Sequence, residues 1–153
     1  MVQGHPIPHK KTNSMTSLLE KNKTIVARFN KEVIEQGNLN AFNELVSKHV
    51  INHAAPAGAP NGPESMSYFL LSVLRTGFPN IKVELHDQVA EGDKVTTRKT
   101  LHGTHTGGFM GIAPTHKKVS IQVIDIIRLE NGQYAEHWGI SNIPEVLQQL
   151  TTK

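Results

Sequence analysis

The chain has 153 residues, a formal net charge of +3, 37% hydrophobic and 19% charged residues, and no cysteine. That length makes one soluble domain able to bury roughly 70% of its unfolded surface. The missing cysteines exclude disulfides and thiol catalysis, and no apolar run approaches the ~20 residues of a membrane-spanning helix.

The basic residues are scattered, as Lys10 and Lys11, Lys21 and Lys23, and Lys117 and Lys118. They lack the interleaved aromatics of a single-strand binder. Neither nucleic acid nor membrane is expected as a partner, and the cytoplasm is the expected compartment.

Residues 1–13 are polar, basic and proline-containing, and read as a disordered lead-in without a signal-peptide segment. A single α+β domain is expected over 14–153. From Ser14 to Gln36, apolar residues recur every three or four positions (Leu18, Ile25, Phe29, Val33), the stripe of an amphipathic helix. Gly37 is its stop and Asn38 the cap of a second helix through Ala41, Phe42, Leu45 and Val46. A loop rich in proline and glycine covers Ala54–Ser65, and Pro63 suits the first turn of a third helix ending at Gly77.

Beyond Phe78 the period changes to two. Strands are expected through Ile81–Val89, Val95–His105, Val119–Leu129 and Gln133–Ile140, with turns at Glu91–Asp93 and Asn131–Gly132, and a short helix at Ile143–Leu150. Helices first and antiparallel strands afterwards predict helices covering one face of a curved sheet.

Two polar residues interrupt the apolar strands. Asp125 shares a strand face with Val119, Ile121, Val123 and Ile127, and the next strand carries His137. A tight Asn131-Gly132 hairpin opposes Asp125 to Trp138 and puts Asp125 and His137 on opposite faces. A bulge or a longer turn shifts the pairing by one and unites them. Burial raises a carboxyl pKa, which would fit Asp125 for acid–base work near neutrality; a turn cap or an ion pair is the plainer alternative. His49 and His53 have the i, i+4 spacing of a zinc pair, but no third ligand or acidic base accompanies them, and no metal is expected. Nucleotide and nucleophilic-serine fingerprints are absent.

The segments "INHAAPAG", "GTHTGGFMGIAPT", "IDIIRLENG" and "EHWG", in that order, resemble the SnoaL-like polyketide cyclase and ester cyclase family of the nuclear transport factor 2-like superfamily. The resemblance runs over about residues 16–150. It implies the cone-shaped α+β fold of ketosteroid isomerase and scytalone dehydratase, three N-terminal helices on the concave side of the sheet enclosing a pocket, and a homo-oligomer (dimer or tetramer) formed through the sheet. It also implies a small hydrophobic carbonyl compound as partner, with acid–base chemistry that needs no cofactor.

Asp125 is the expected general base, with His137 and His53 orienting it or bonding a developing enolate. Carried over by position, Asn52 and His105 line the pocket, Phe109 and Met110 close its mouth, and Trp138 adjoins it. Three departures stand out. Gly139 occupies the place of the aspartate in the best-understood aromatic cyclases, and Asp125 stands where they have histidine; His116 also replaces a usual turn glycine. Aldol or ester cyclisation is the expected reaction. Isomerisation, dehydration, hydrolysis, non-catalytic binding of an apolar ligand and an interaction role for the sheet stay open.

Overall fold

The computed structural model describes residues 9–152. Residues 1–8 of the expected lead-in lie outside the described residues, and helix α1 (His9–Phe29) already includes its remainder. The helix widens into π-type turns over Asn30–Glu35. The cause is local: the buried Asn30 side chain donates to the Val26 carbonyl at 2.9 Å, competing with the main-chain ladder.

Gly37, at φ 69°, ends this segment as expected. Its amide reaches the Val33 carbonyl at 2.9 Å, while Arg75 donates to the last carbonyls, those of Ile34 and Glu35. The Asn38 side chain accepts from the Ala41 amide at 3.0 Å and caps α2 (Leu39–Leu45).

The second helix does not run through Val46. Val46–Asn52 is instead a strand, β1, in which Val46, Val50 and Asn52 are buried and their neighbours are not. Pairing with the last strand overrides any helical preference, so His49 lies on a strand and His53 just beyond it.

The helix opened by Pro63 runs as α3 (Pro63–Ser67), π-type turns (Tyr68–Val73) and α4 (Leu74–Gly77). Then follow β2 (Lys82–Glu91), β3 (Lys94–Thr104), β4 (Lys118–Glu130), β5 (Gln133–Ser141) and α5 (Ile143–Thr151). The five strands form one curved, open sheet in the order β1-β5-β4-β3-β2. Its neighbours are antiparallel except for the parallel β1–β5 pair at the edge.

The core lies between the concave face and the helices. Val26, Phe29 and Val33 of the first helical segment are buried with Phe42, Ile121, Ile127 and Tyr134, and Phe29 stacks on Tyr134 at 4.4 Å. Burying one such side chain stabilises the fold by about 1.5–3 kcal/mol. The outer face is less covered. Ile124 and Ile140 are exposed there, beside a cavity of about 470 Å³ bordered by Thr100, Gln122, Asn142 and Glu145. No helix among the described residues is long and apolar enough to cross a membrane.

The long β3–β4 connection is fastened to α4. The Gly107 amide donates to the Gly77 carbonyl, and a Cβ on Gly107 would stand 1.8 Å from the Thr76 carbonyl oxygen. Gly107→Ala is therefore expected to undock this connection and cost about 1–3 kcal/mol in urea unfolding.

Candidate active site

Asp125 and His137 are brought onto one face by a single extra residue. At the hairpin tip Glu130 pairs with Gln133 and Leu129 with Tyr134, but Arg128 then pairs with Glu136. Ala135 is the extra residue, a β-bulge that shifts the remaining pairs by one. Asn131 and Gly132, at φ 52° and 78°, form the tight turn that their sequence demands. Asp125 consequently faces Gly139, and His137 faces Ile127. Of the two registers the sequence permits, this is the bulged one.

The imidazole lies over Gly139. His137 Nε2 is 3.8 Å from Asp125 Oδ2. A Cβ on Gly139 would stand 3.1 Å from Nε2 and 3.3 Å from the Asp125 Cβ. The small residue is what lets the ring lean against the carboxylate. Gly139→Ala is expected to push the ring away from Asp125 by a few tenths of an ångström, read as a changed His137 ring signal in NMR, with little change in urea unfolding.

Asn52 settles which ring nitrogen carries the proton. Its Oδ1 is 2.8 Å from His137 Nδ1 and also accepts the Ala54 amide at 3.1 Å, while its Nδ2 donates to Ser65 Oγ at 3.0 Å. The amide oxygen can only accept, so Nδ1 carries a proton, and in the neutral ring the lone pair is therefore on Nε2. Ser65 in turn donates to the Gly62 carbonyl at 2.8 Å, tying the Pro63 helix to this chain of bonds.

Asp125 is 6% exposed, and burial, the largest single influence, pushes its carboxyl upward. The Lys99 ammonium, 3.1 Å from Oδ2, opposes this together with His137, and the net pKa lies below the ordinary carboxylate value. The raised value expected from burial alone is thus corrected: a buried cation sits beside the acid. Lys99 Nζ also donates to Asn30 Oδ1 at 2.7 Å, the same Asn30 whose amide widens the first helix. Asp125 Oδ1 and Thr97 Oγ1, opposite one another across β3–β4, are buried without a hydrogen-bond partner among the described residues.

Lys99 and Asn30 escaped the sequence reading. The signal for Lys99 was present, since alternation along β3 puts Val95, Thr97, Lys99 and Leu101 on one buried face. Asn30 sits among apolar helical positions and had no comparable signal.

The remaining sequence candidates separate. His53 and Trp138 lie on the outer face, their rings stacked at 4.7 Å, and His53 Nε2 donates to Glu136 Oε2 at 2.8 Å. His53 therefore does not touch Asp125 or the His137 ring. His105 is fully buried; its Nδ1 accepts from the Thr115 amide at 3.1 Å, and its main chain bonds Lys117 and His116, so it holds the β3–β4 connection. Phe109 packs edge-on against Phe78 in the core, whereas Met110 is exposed. His116 has φ 62°, a left-handed conformation that glycine adopts more readily than other residues. Among the described residues no three His, Asp or Glu side chains are grouped as metal ligands.

Helices against the concave side of an open, curved sheet, with an acid and an imidazole facing them from adjacent strands, define a domain of the nuclear transport factor 2-like type. Within that class the chain belongs to the SnoaL-like polyketide cyclase family, whose sequence profile matches residues 24–150.

A candidate SnoaL-like polyketide cyclase of Jannaschia sp. CCS1 is similar in fold, with a TM-score of 0.78 at 22% identity over 100% of this chain and 99% of that one. IdmH of Streptomyces antibioticus, a candidate polyketide cyclase, is 28% identical with a TM-score of 0.72, covering 86% of this chain and 99% of its own. AclR of Streptomyces galilaeus, a candidate hydroxylase, gives 0.75 at 24% identity over 86% and 85%. No curated protein matches the sequence. One fold thus carries different candidate chemistries, and the reaction has to be argued from the site.

Proposed function

We propose that the protein is an acid–base enzyme acting on a hydrophobic carbonyl compound, with His137 as the proton carrier and aldol-type ring closure as the reaction. The observation that carries this is the Asn52–His137 bond, which selects the tautomer whose basic nitrogen in the neutral ring is Nε2, 3.8 Å from the Asp125 carboxylate. Nε2 removes a proton from the carbon next to a carbonyl, and the C–H electron pair passes into the enolate. The enolate carbon attacks a second carbonyl of the same molecule, a C–C bond forms, and the imidazolium returns its proton to the new alkoxide.

Asp125 stabilises the imidazolium in this scheme instead of accepting the proton itself, because Lys99 makes its carboxylate a weak base. Asp125 Oδ1 is buried without a partner among the described residues, so a substrate hydroxyl that displaced its cover would meet an unused acceptor. The residues named supply the base, its charge partner and its orientation, and the substrate's own carbonyls delocalise the charge.

The test does not depend on the identity of the natural substrate. Cyclic and aromatic β-dicarbonyl compounds in deuterated buffer report proton abstraction as loss of the NMR signal of the carbon between the carbonyls. Exchange above the buffer rate supports the reading. Compounds that bind with no acceleration of exchange point to the non-catalytic, ligand-binding alternative. A homo-oligomer through the outer face, where Ile124 and Ile140 are exposed, belongs to the same proposal; a single monomeric species in sedimentation velocity overturns that part.

A further inference from the structure

His137 can act as a base at Nε2 only while Nδ1 keeps its proton, and that depends on where Asn52 sits. Asn52 is the last residue of β1, an edge strand with an irregular ladder. Val46 pairs with Tyr134, but the register shifts before Ile51 pairs with Glu136 and Asn52 with His137. An edge with so few regular ladder bonds is among the first parts of a fold to open. A shift of Asn52 by about 1 Å takes its bond to His137 out of hydrogen-bonding range.

The next residue supplies what the ladder lacks. The His53 amide donates to the His137 carbonyl at 2.8 Å. Its ring lies parallel to Trp138, at 8° and 4.7 Å, and its Nε2 donates to Glu136 at 2.8 Å. Glu136 and Trp138 are the two chain neighbours of His137, and both point to the outer face. Arg128 of β4 holds the other oxygen of Glu136 at 2.6 Å. The three strands are therefore clasped on the outer face at the same register at which Asn52 meets the His137 ring on the inner one.

We infer that His53 is a positioning residue for His137: by gripping Glu136 and Trp138 on the outer face of the sheet, it holds Asn52 where it fixes the His137 tautomer on the inner face. This rests on the acid–base role proposed for His137. The clasp acts through the backbone, with no contact between His53 and a reacting atom, and a carboxylate at position 136 is favoured by two donors. The His53 bond and then the Arg128 bond hold its pKa below the ordinary value.

The test is 15N NMR of the full chain labelled at histidine, with the His137 signals assigned by their loss in His137→Gln. Wild type is expected to show His137 as a single tautomer, protonated at Nδ1. In His53→Ala and in Glu136→Leu that signature is expected to be lost, giving the averaged shifts of a two-tautomer mixture. Glu136→Gln, which keeps an acceptor for His53, is expected to restore it. Amide spectra identify which variants are folded, and two independent variants guard against one that is not.

A His137 that remains a single Nδ1-protonated tautomer in a folded His53→Ala or Glu136→Leu protein overturns the inference. Because this readout involves no turnover, it is separable from the reaction. If His137→Gln leaves proton exchange unchanged, the acid–base role falls while the positioning result stands.

Discussion

Asp125→Asn is expected to lower stability by about 3–5 kcal/mol, because it leaves a buried ammonium without its counter-charge. Lys99 and Asp125 are both nearly inaccessible to water, at 5% and 8% side-chain exposure, and only neutral amides, that of Asn30 and the one introduced at position 125, would then face Lys99. Urea unfolding at neutral pH measures the loss. The double variant Lys99→Met/Asp125→Asn is expected to recover much of it, since removing both charges abolishes the uncompensated one. A single variant as stable as wild type would show that the pair is solvated and that the electrostatic account of the site is wrong.

The same pair sets the response to acid. The folded Asp125 carboxyl has a pKa below its ordinary value of 3.8, so the folded state binds this proton less readily than the unfolded chain. Its stabilisation is fully present above that ordinary value and is lost as pH falls through the lower folded value. Wild type is expected to converge on Asp125→Asn in stability as pH is lowered through this window, while the two stay well separated at pH ~6.

His137→Gln is expected to reduce enzyme-catalysed proton exchange on a responsive β-dicarbonyl compound by about 100- to 10,000-fold, the usual worth of a positioned general base. Glutamine keeps most of the volume and can still donate to Asn52, so binding and unfolding free energy are expected to change little. A large effect on affinity with the exchange rate per bound enzyme intact would make His137 a binding residue. Asn52→Ala is predicted to lie between wild type and His137→Gln, because the imidazole remains but its tautomer is no longer selected.

How far the sequence carried these conclusions depends on the kind of physics involved. Period-two alternation located four of the five strands, and local signals at Gly37, Asn38, Pro63 and Asn131-Gly132 placed stops, caps and turns where they occur. Strand β1 was hidden because its pairing partner lies more than 80 residues later, and nothing local distinguishes Val46–Asn52 from a helix end. The same distance hid Asn52 as the partner of His137.

The depressed pKa of Asp125 was unreadable for a different reason. Burial is legible in an alternating strand, but the sign of the shift depends on Lys99 in the neighbouring strand and on the order in which strands lie. His53 illustrates the opposite limit. Its position in the chain marked it for the site, yet one residue of alternation after Asn52 carried its ring to the other side of the sheet.

The extra residue at Ala135 gives the β4–β5 hairpin a parity. With an odd count on one arm, the imidazole and its carboxylate look inward and the indole looks outward; with an even count, those directions exchange along the whole arm beyond the bulge. Deleting position 135 would alter no reactive side chain and would still turn His137 toward solvent and Trp138 toward the helices. In comparisons with relatives, a one-residue gap at this hairpin therefore bears on chemistry as directly as a substitution at 125 or 137, and alignments that smooth it away would pair residues from opposite sides of the sheet.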